Sequence, residues 1–356
     1  MWQKEVGAGF SGPVVAGERL VLFHRLGDKE VVDCLDSVGG ASKWRFEAIT
    51  TYRDDFGFDP GPRSTPLIAD GRVYALGAAG VLHCLELASG KEIWNRALSV
   101  DYRAPKGFFG VATSPLLEEG RLWINVGGPG AGIVALAADT GKEVWKATDH
   151  AASYSSPMAA TIDGERHIFF FTREGFVDID PKNLKVRTTK HWRSRMDASV
   201  NAATPIVVGN EVFLSSSYGT GALLLRVSKN GCEEVWKGDG ILSNHYATSV
   251  YHDGHLYGFD GRQEQRARLR CVEFATGKVS WSQEGFGCGW IIAADGKLII
   301  LGEQGELFLV EATPEAYREK ARTSVFTRTC RAPIALASGR LYARDTGKLV
   351  CLDLRK

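Results

Sequence analysis

No charge of either sign dominates this chain of 356 residues: 43 lysines and arginines face 42 aspartates and glutamates, a formal net charge of +1. Proteins that bind nucleic acid or anionic membranes carry a broad basic excess, so neither partner is expected here. Long apolar runs are missing too, and no stretch approaches the ~20 residues a helix needs to cross a bilayer. No leader-like segment opens the sequence, which begins Met1-Trp2-Gln3-Lys4-Glu5 inside a strand-like stretch, so the compartment stays open. What remains, 44% hydrophobic and 24% charged, is the balance of a soluble globular protein, read as a single domain over residues 1–356.

What the chain does have is a period. Tryptophans stand at Trp44, Trp94, Trp145, Trp192, Trp236 and Trp281, separated by 50, 51, 47, 44 and 45 residues. Most follow a Gly-Lys turn, as in Ser89-Gly90-Lys91-Glu92-Ile93-Trp94. A self-similar period of this length marks an array of one repeated four-stranded sheet. The fullest repeat runs Ser64 to Leu76, Gly80 to Leu87 and Gly90 to Trp94, with alternating and β-branched runs broken by Asp-Gly and Ser-Gly turns. These runs predict strands A, B, C and D. Strand A starts fall at Pro13, Pro66, Pro115, Pro157, Pro205, Ser249, Trp290 and Pro333; a proline at a strand's first residue costs no ladder hydrogen bond.

The ends sharpen the count. The last repeat has its A, B and C runs and no D run, while Trp2-Gln3-Lys4-Glu5-Val6 reads as an orphan D strand. Pairing the two gives an eighth blade and leaves no exposed edge. The seventh repeat is the weakest, with Val325 or Phe326 standing where its tryptophan is expected. The expected fold is all-β, an eight-bladed β-propeller of four-stranded antiparallel blades, with seven blades as the alternative. Cys34, Cys84, Cys271 and Cys351 share one strand C position and read as small buried hydrophobes too far apart for disulfides.

The pattern Pro-x-x-x-x-Gly-Arg-x-Tyr, then Cys/Ala-Leu-Asp/Glu, then Thr-Gly-Lys-x-x-Trp resembles the PQQ-like β-propeller repeat. That repeat is shared by quinoprotein alcohol dehydrogenases and the outer-membrane assembly lipoprotein BamB. The likeness covers essentially the whole chain and implies the fold, but not the function, because the family holds both redox enzymes and non-catalytic scaffolds. It also points towards a periplasmic or secreted setting.

In such an array function lies where the repeats differ. The A–B turns are short and alike, whereas the D–A loops, about Glu47 to Arg63 and Ala97 to Ala112, are long and individual. The residues ahead of each strand A are expected to line a polar mouth that binds a small, anionic or hydroxylated molecule. His245 is the candidate general base or ligand contact, or else a hydrogen-bonded channel histidine. Arg63 and Arg331 offer planar donors for a carboxylate or phosphate, or pair with Asp54, Asp55 or Asp59. Asn201 and Asn244 can ligate a hard cation or sugar hydroxyls. Tyr154, Tyr246 and Phe109 supply aromatic walls, and Cys330 a thiol. Arg262 and Glu264, beside Tyr218-Gly219-Thr220-Gly221, can reach the pocket or, as is rather expected, form a surface ion pair. His252 and His255 fall on an A–B hairpin away from this face, and no metal site is expected there; the glycine-rich run 126–132 mimics a phosphate loop but opens no helix and reads as a B–C turn.

Three functions remain open. One is a ligand-binding or enzymatic mouth pocket. A second is a scaffold that binds a protein partner, for which Tyr52-Arg53-Asp54-Asp55-Phe56-Gly57-Phe58 has the make-up of a contact loop or a lid. The third, a PQQ-dependent dehydrogenase, would place the tricarboxylic quinone among Arg63, Arg331 and His245. The resemblance implies adjacent cysteines and a Glu/Asn/Asp calcium set for that chemistry. No Cys-Cys pair occurs, and the calcium set is not matched residue by residue, so neither PQQ nor a divalent cation is assigned.

Overall fold

The alternating runs fold as eight four-stranded antiparallel sheets, seven with their strands side by side in chain order and the eighth closed by the N-terminal strand. The computed structural model describes residues 1–355. The first sheet is Val14–Ala16, Arg19–Leu26, Lys29–Asp36 and Ser42–Ile49. In the last, Ala335–Ala337, Arg340–Arg344 and Lys348–Asp353 are completed by Trp2–Glu5, antiparallel from Trp2 opposite Cys351 to Glu5 opposite Lys348. The protein is thus an eight-bladed β-propeller with almost no helix, and its N-terminal strand closes its last blade.

The chain divides into two compact units. The first comprises Met1–Ala152 with Phe326–Lys356 and holds the blade built from both termini and the first three repeats; the second, Ser153–Val325, holds the other four. Within each unit the same devices join neighbouring blades. In the first, the indole N–H groups of Trp2, Trp44 and Trp94 donate to the carbonyls of Ser37, Leu87 and Ala138, at 3.3, 2.9 and 3.2 Å. In the second, Trp236 and Trp281 do the same to Phe274 and Thr313, at 2.9 and 2.8 Å. Each acceptor lies just past strand C of the next blade. A second device is a hydroxyl ahead of strand A. Gly12 N–H donates to Thr65 Oγ1, Thr65 N–H to Ser114 Oγ and, in the other unit, Thr204 N–H to Thr248 Oγ1. Buried backbone groups need such partners, and here the Ser/Thr-Pro signature supplies them.

Register explains the tryptophan–cysteine pattern and corrects two positions. Trp2, Trp44, Trp94 and Trp281 lie directly opposite Cys351, Cys34, Cys84 and Cys271, while Trp145 and Trp236 face Ala135 and Leu224. A one-residue slip in the ladder follows each of the internal pairs. In the fourth repeat that slot is held by Thr188, opposite Asp178, so Trp192 stands four residues beyond it. Its indole accordingly bonds Gly221 O, at the opposite end of the neighbouring strand C. In the seventh repeat Ala321, opposite Leu309, takes the slot, and neither Val325 nor Phe326 does. The longer turn after Glu311 shifted the count there. Burial pushes the thiols of Cys34 and Cys84 up to about 11, as suits inert core residues. None of the seven cysteines is in a disulfide.

Candidate functional site

The expected site residues fall into groups, each internal to one unit. In the first unit the long loop between Ser42–Ile49 and Leu67–Ala69 is wound around one carboxylate. Asp54 accepts the backbone N–H groups of Phe56, Phe58 and Asp59, at 3.1, 2.6 and 2.7 Å. Phe56 and Phe58 are left 54% and 53% exposed on a loop fixed by its own hydrogen bonds. The next D–A loop packs on it. Lys106 donates to Arg53 O and Asp55 and sits 5.2 Å from the Tyr52 ring. Phe108 and Phe109 lie 6.1 and 5.4 Å from Phe56, and Phe109 meets Phe58 edge-on at 5.7 Å.

Two arginines stack into this aromatic cluster. The Arg63 guanidinium is 5.6 Å from the rings of both Phe10 and Phe109. Arg331 is 5.9 Å from Phe10 and 5.6 Å from Phe58. Phe10 is therefore shared by both cations. Arg63 also takes the carboxylate partner anticipated for it, with Nη2 3.7 Å from Asp54 Oδ2, and donates to Asp59 O. Cys330 is fully buried, its thiol donating to Arg328 O at 3.4 Å. The fully buried Arg344 donates to Gly7 O and Asp345 O, and burial pulls its guanidinium down to about 10.

In the second unit a chain of hydrogen bonds runs through His245. The Tyr218 hydroxyl and His245 Nε2 are 2.8 Å apart, and His245 Nδ1 is 2.8 Å from Gln263 Oε1. With the glutamine oxygen as acceptor, Nδ1 carries a proton, and both imidazole nitrogens are engaged within the protein. Gln263 Nε2 passes the chain on to Glu264. The rings of Tyr218, His245, Tyr246 and Trp290 follow one another at 5.5, 5.7 and 6.2 Å. Arg262 lies 4.6 Å from the Tyr218 ring, which corrects its expected ion pair with Glu264.

The two asparagines hold backbone. Asn244 Nδ2 donates to Phe259 O, and its Oδ1 accepts from Ser249, so both ends of the carboxamide are engaged within the protein. Asn201 Nδ2 bridges Thr172 O and Trp192 O, and the Asn201 carbonyl accepts the N–H groups of Tyr154 and Ser155. Both asparagines are 1% exposed. Sequence reasoning missed Gln263 as a partner of His245, because a glutamine carries no chemical signature of its own. It also missed Arg173, which lies in the short turn Thr172-Arg173-Glu174-Gly175, where loop length gave no signal.

This geometry can be set beside known proteins. The family model described as outer membrane protein assembly factor BamB matches residues 27–283. The chain belongs to this BamB-like family. Among solved structures, BamB from Moraxella catarrhalis superposes with a TM-score of 0.70 at 14% identity, over 99% of this chain and 97% of that one. The quinohemoprotein alcohol dehydrogenase of Comamonas testosteroni gives 0.69 at 13% identity, over 98% of this chain and 75% of that one. The computationally designed protein Ika8 gives 0.64 at 9% identity, over 98% of both chains. At these identities the likeness is one of fold. No curated protein sequence matches.

Among the described residues no group of three His, Cys, Asp or Glu could hold a metal. Asn244 engages its carboxamide with Phe259 and Ser249, and His245 has both nitrogens in hydrogen bonds.

Proposed function

We propose that the protein is a non-catalytic interaction scaffold that holds a protein partner on the loop surface of its first unit. The observation that carries this reading is the cluster of five phenylalanines, Phe10, Phe56, Phe58, Phe108 and Phe109, into which Arg63 and Arg331 stack. Phe56, Phe58 and Phe108 are 54%, 53% and 38% exposed, which is unusual for rings gathered in one place. Aromatic side chains and arginine are the residues enriched at the cores of protein interfaces. The Asp54 hydrogen bonds fix the loop before any partner arrives, so little ordering cost remains on binding. The family description, an assembly factor, fits a protein whose work is contact.

A photo-crosslinking residue at Phe58 tests the reading, with Met158, an exposed residue of the second unit, as control. The expected result is one adduct of discrete mass at Phe58, absent at Met158 and lost when Arg331→Ala is added. The same adduct at both positions, or none at Phe58, overturns it.

A second reading is favoured by the hydrogen-bond chain through His245. Imidazole, phenol and two further rings, Tyr246 and Trp290, form a lining suited to a small organic molecule in the second unit. Under this reading His245 positions a ligand or acts as a base, while Asn201 and Asn244 hold the loops behind it.

A further inference from the structure

Within the second unit two guanidinium groups carry buried N–H groups that nothing accepts. Arg173 is 8% exposed; its Nη2 donates to Met196 O and Asp197 O, while its Nη1 is buried without a hydrogen-bond partner. Arg262 stacks on the Tyr218 ring at 4.6 Å, and its Nε is likewise buried without a partner. Neither arginine forms an ion pair among the described residues. The loop that accepts from Arg173 also holds the tyrosine, because Ser194 Oγ donates to Tyr218 O at 2.7 Å. Tyr218 itself is held in the left-handed region, with φ +66°, a conformation that a bulky residue adopts only under constraint. Both arginines act electrostatically on the same phenol, and burial together with the nearby Arg193 lowers the affinity of Arg173 for its proton.

We propose that Arg262, stacked on Tyr218, and Arg173, tied to the loop that bonds the Tyr218 carbonyl, form a binding site for a small aromatic carboxylate. Arginine offers donors only, so the missing group must be an acceptor. Glu174 and Asp197 act on Arg173 as opposite charges, yet no carboxylate among the described residues accepts either open N–H. Glu174 lies 3.7 Å from Arg193, Glu264 is exposed and accepts from Gln263, and Asp197 is exposed to solvent. Two open N–H groups match the two oxygens of a carboxylate. The consecutive rings of Tyr218, His245, Tyr246 and Trp290 favour a carboxylate borne on a flat, apolar body. The inference rests on the small-molecule reading of the second unit and gives that reading its ligand class; it is independent of the protein contact proposed for the first.

Calorimetric titration of the whole chain with sodium benzoate, its neutral isostere benzamide and inorganic phosphate tests it. Benzoate is expected to bind at least about tenfold more tightly than either of the other two. Arg262→Gln should weaken benzoate about tenfold and leave benzamide unchanged. Tyr218→Phe, which keeps the ring beneath Arg262, should retain most of the benzoate affinity, so a loss specific to the cation is separable from misfolding. Equal binding of benzoate and benzamide overturns the anion site while leaving a neutral small-molecule pocket standing. Unchanged benzoate binding in Arg262→Gln, or tighter binding of phosphate, overturns the proposal as well. Silence with all three probes up to about 10 mM, the weak end of measurable affinity, overturns the site and the pocket reading together.

Discussion

The loops of the first unit close on a carboxylate, and those of the second close on a histidine. Around Asp54 the backbone supplies the donors, and side chains are released outward as exposed rings. Around His245 the side chains bond to one another, through Tyr218 and Gln263, and the polar atoms are turned inward. Beneath both lie the same tryptophan-to-carbonyl and hydroxyl-to-backbone links. A propeller can therefore change what its loops do without altering what its blades do. One set of loops exposes its rings and the other pairs its side chains with one another.

The largest expected effect tests whether the scaffold really is common to both units. Gly90 and Gly277 occupy the same turn in different units, at φ +74° and +73°. A Cβ on Gly90 would lie 2.4 Å from the Trp44 ring, and one on Gly277 2.9 Å from Trp236. Left-handed strain plus displacement of a tryptophan predicts a loss of about 3 kcal/mol for Gly90→Ala and about 2 kcal/mol for Gly277→Ala in denaturant unfolding. A cost confined to one unit would break the equivalence.

That turn was legible in the sequence because its glycine and its tryptophan recur together, and each has one physical job. The blade count, the closing strand at Trp2 and the Asp-Gly hairpins were readable for the same reason: repetition makes a weak local signal strong. The loops offered no such repetition. Trp192 matched the period roughly and still lay off the slot, since spacing cannot reveal that Thr188, four residues earlier, takes the paired position. His245 stood out because histidine is chemically distinctive. Its partners Tyr218 and Gln263 come from two other loops, a convergence that only the folded backbone supplies. That Asn201 and Asn244 use their amide nitrogens to hold backbone was not legible, because asparagine serves ligands and backbone with the same atoms.

The second-largest effect belongs to a buried histidine outside both loop clusters, and it tells the units apart by pH. In the first unit His24 Nε2 is 3.0 Å from Asp33, while its Nδ1 accepts Gly7 N–H at 2.9 Å. Burial pulls His24 below its ordinary 6.5, with Asp33 pulling the other way. Protonation would also force Nδ1 to give up the Gly7 N–H. The unfolded chain thus takes up this proton at higher pH than the folded one, so stability is complete above 6.5 and falls as pH drops beneath it. Each pH unit over which the folded histidine stays neutral costs about 1.4 kcal/mol. Glu30 works in the opposite sense: burial raises its carboxyl, so its contribution is present at low pH and lost as pH rises. His24→Gln should therefore flatten the stability profile between about pH 6.5 and 5, leaving the Glu30 slope visible. Unfolding midpoints of the two proteins that run parallel across this range would remove the His24 role.

A smaller effect probes the lining. Tyr218→Phe removes the phenol hydroxyl paired with His245 Nε2 and preserves the ring under Arg262. One partly buried hydrogen bond predicts a loss of about 1 kcal/mol. A Tyr218→Phe, Gln263→Ala double-mutant cycle should show coupling through the imidazole that joins them. Strictly additive losses would mean that the histidine holds each neighbour independently and that the chain is only an adjacency.

The smallest expected change in stability is the one that most sharply separates surface from lining. Phe58 is half exposed, and its loop is fixed by Asp54 through backbone N–H groups that any residue possesses. Phe58→Ala should therefore cost no more than about 0.5 kcal/mol in unfolding, since exposed positions away from caps and cores rarely cost more. The ring nevertheless contacts both Phe109 and Arg331. If the patch exists for contact, the same variant should weaken partner binding at least about tenfold, as truncation of an interface anchor does. Residues kept for packing show the reverse, a large loss of stability and a proportionate loss of everything else. A large unfolding penalty at Phe58 would make the cluster a piece of core that happens to reach solvent, and the contrast between the two units would narrow to loop length alone.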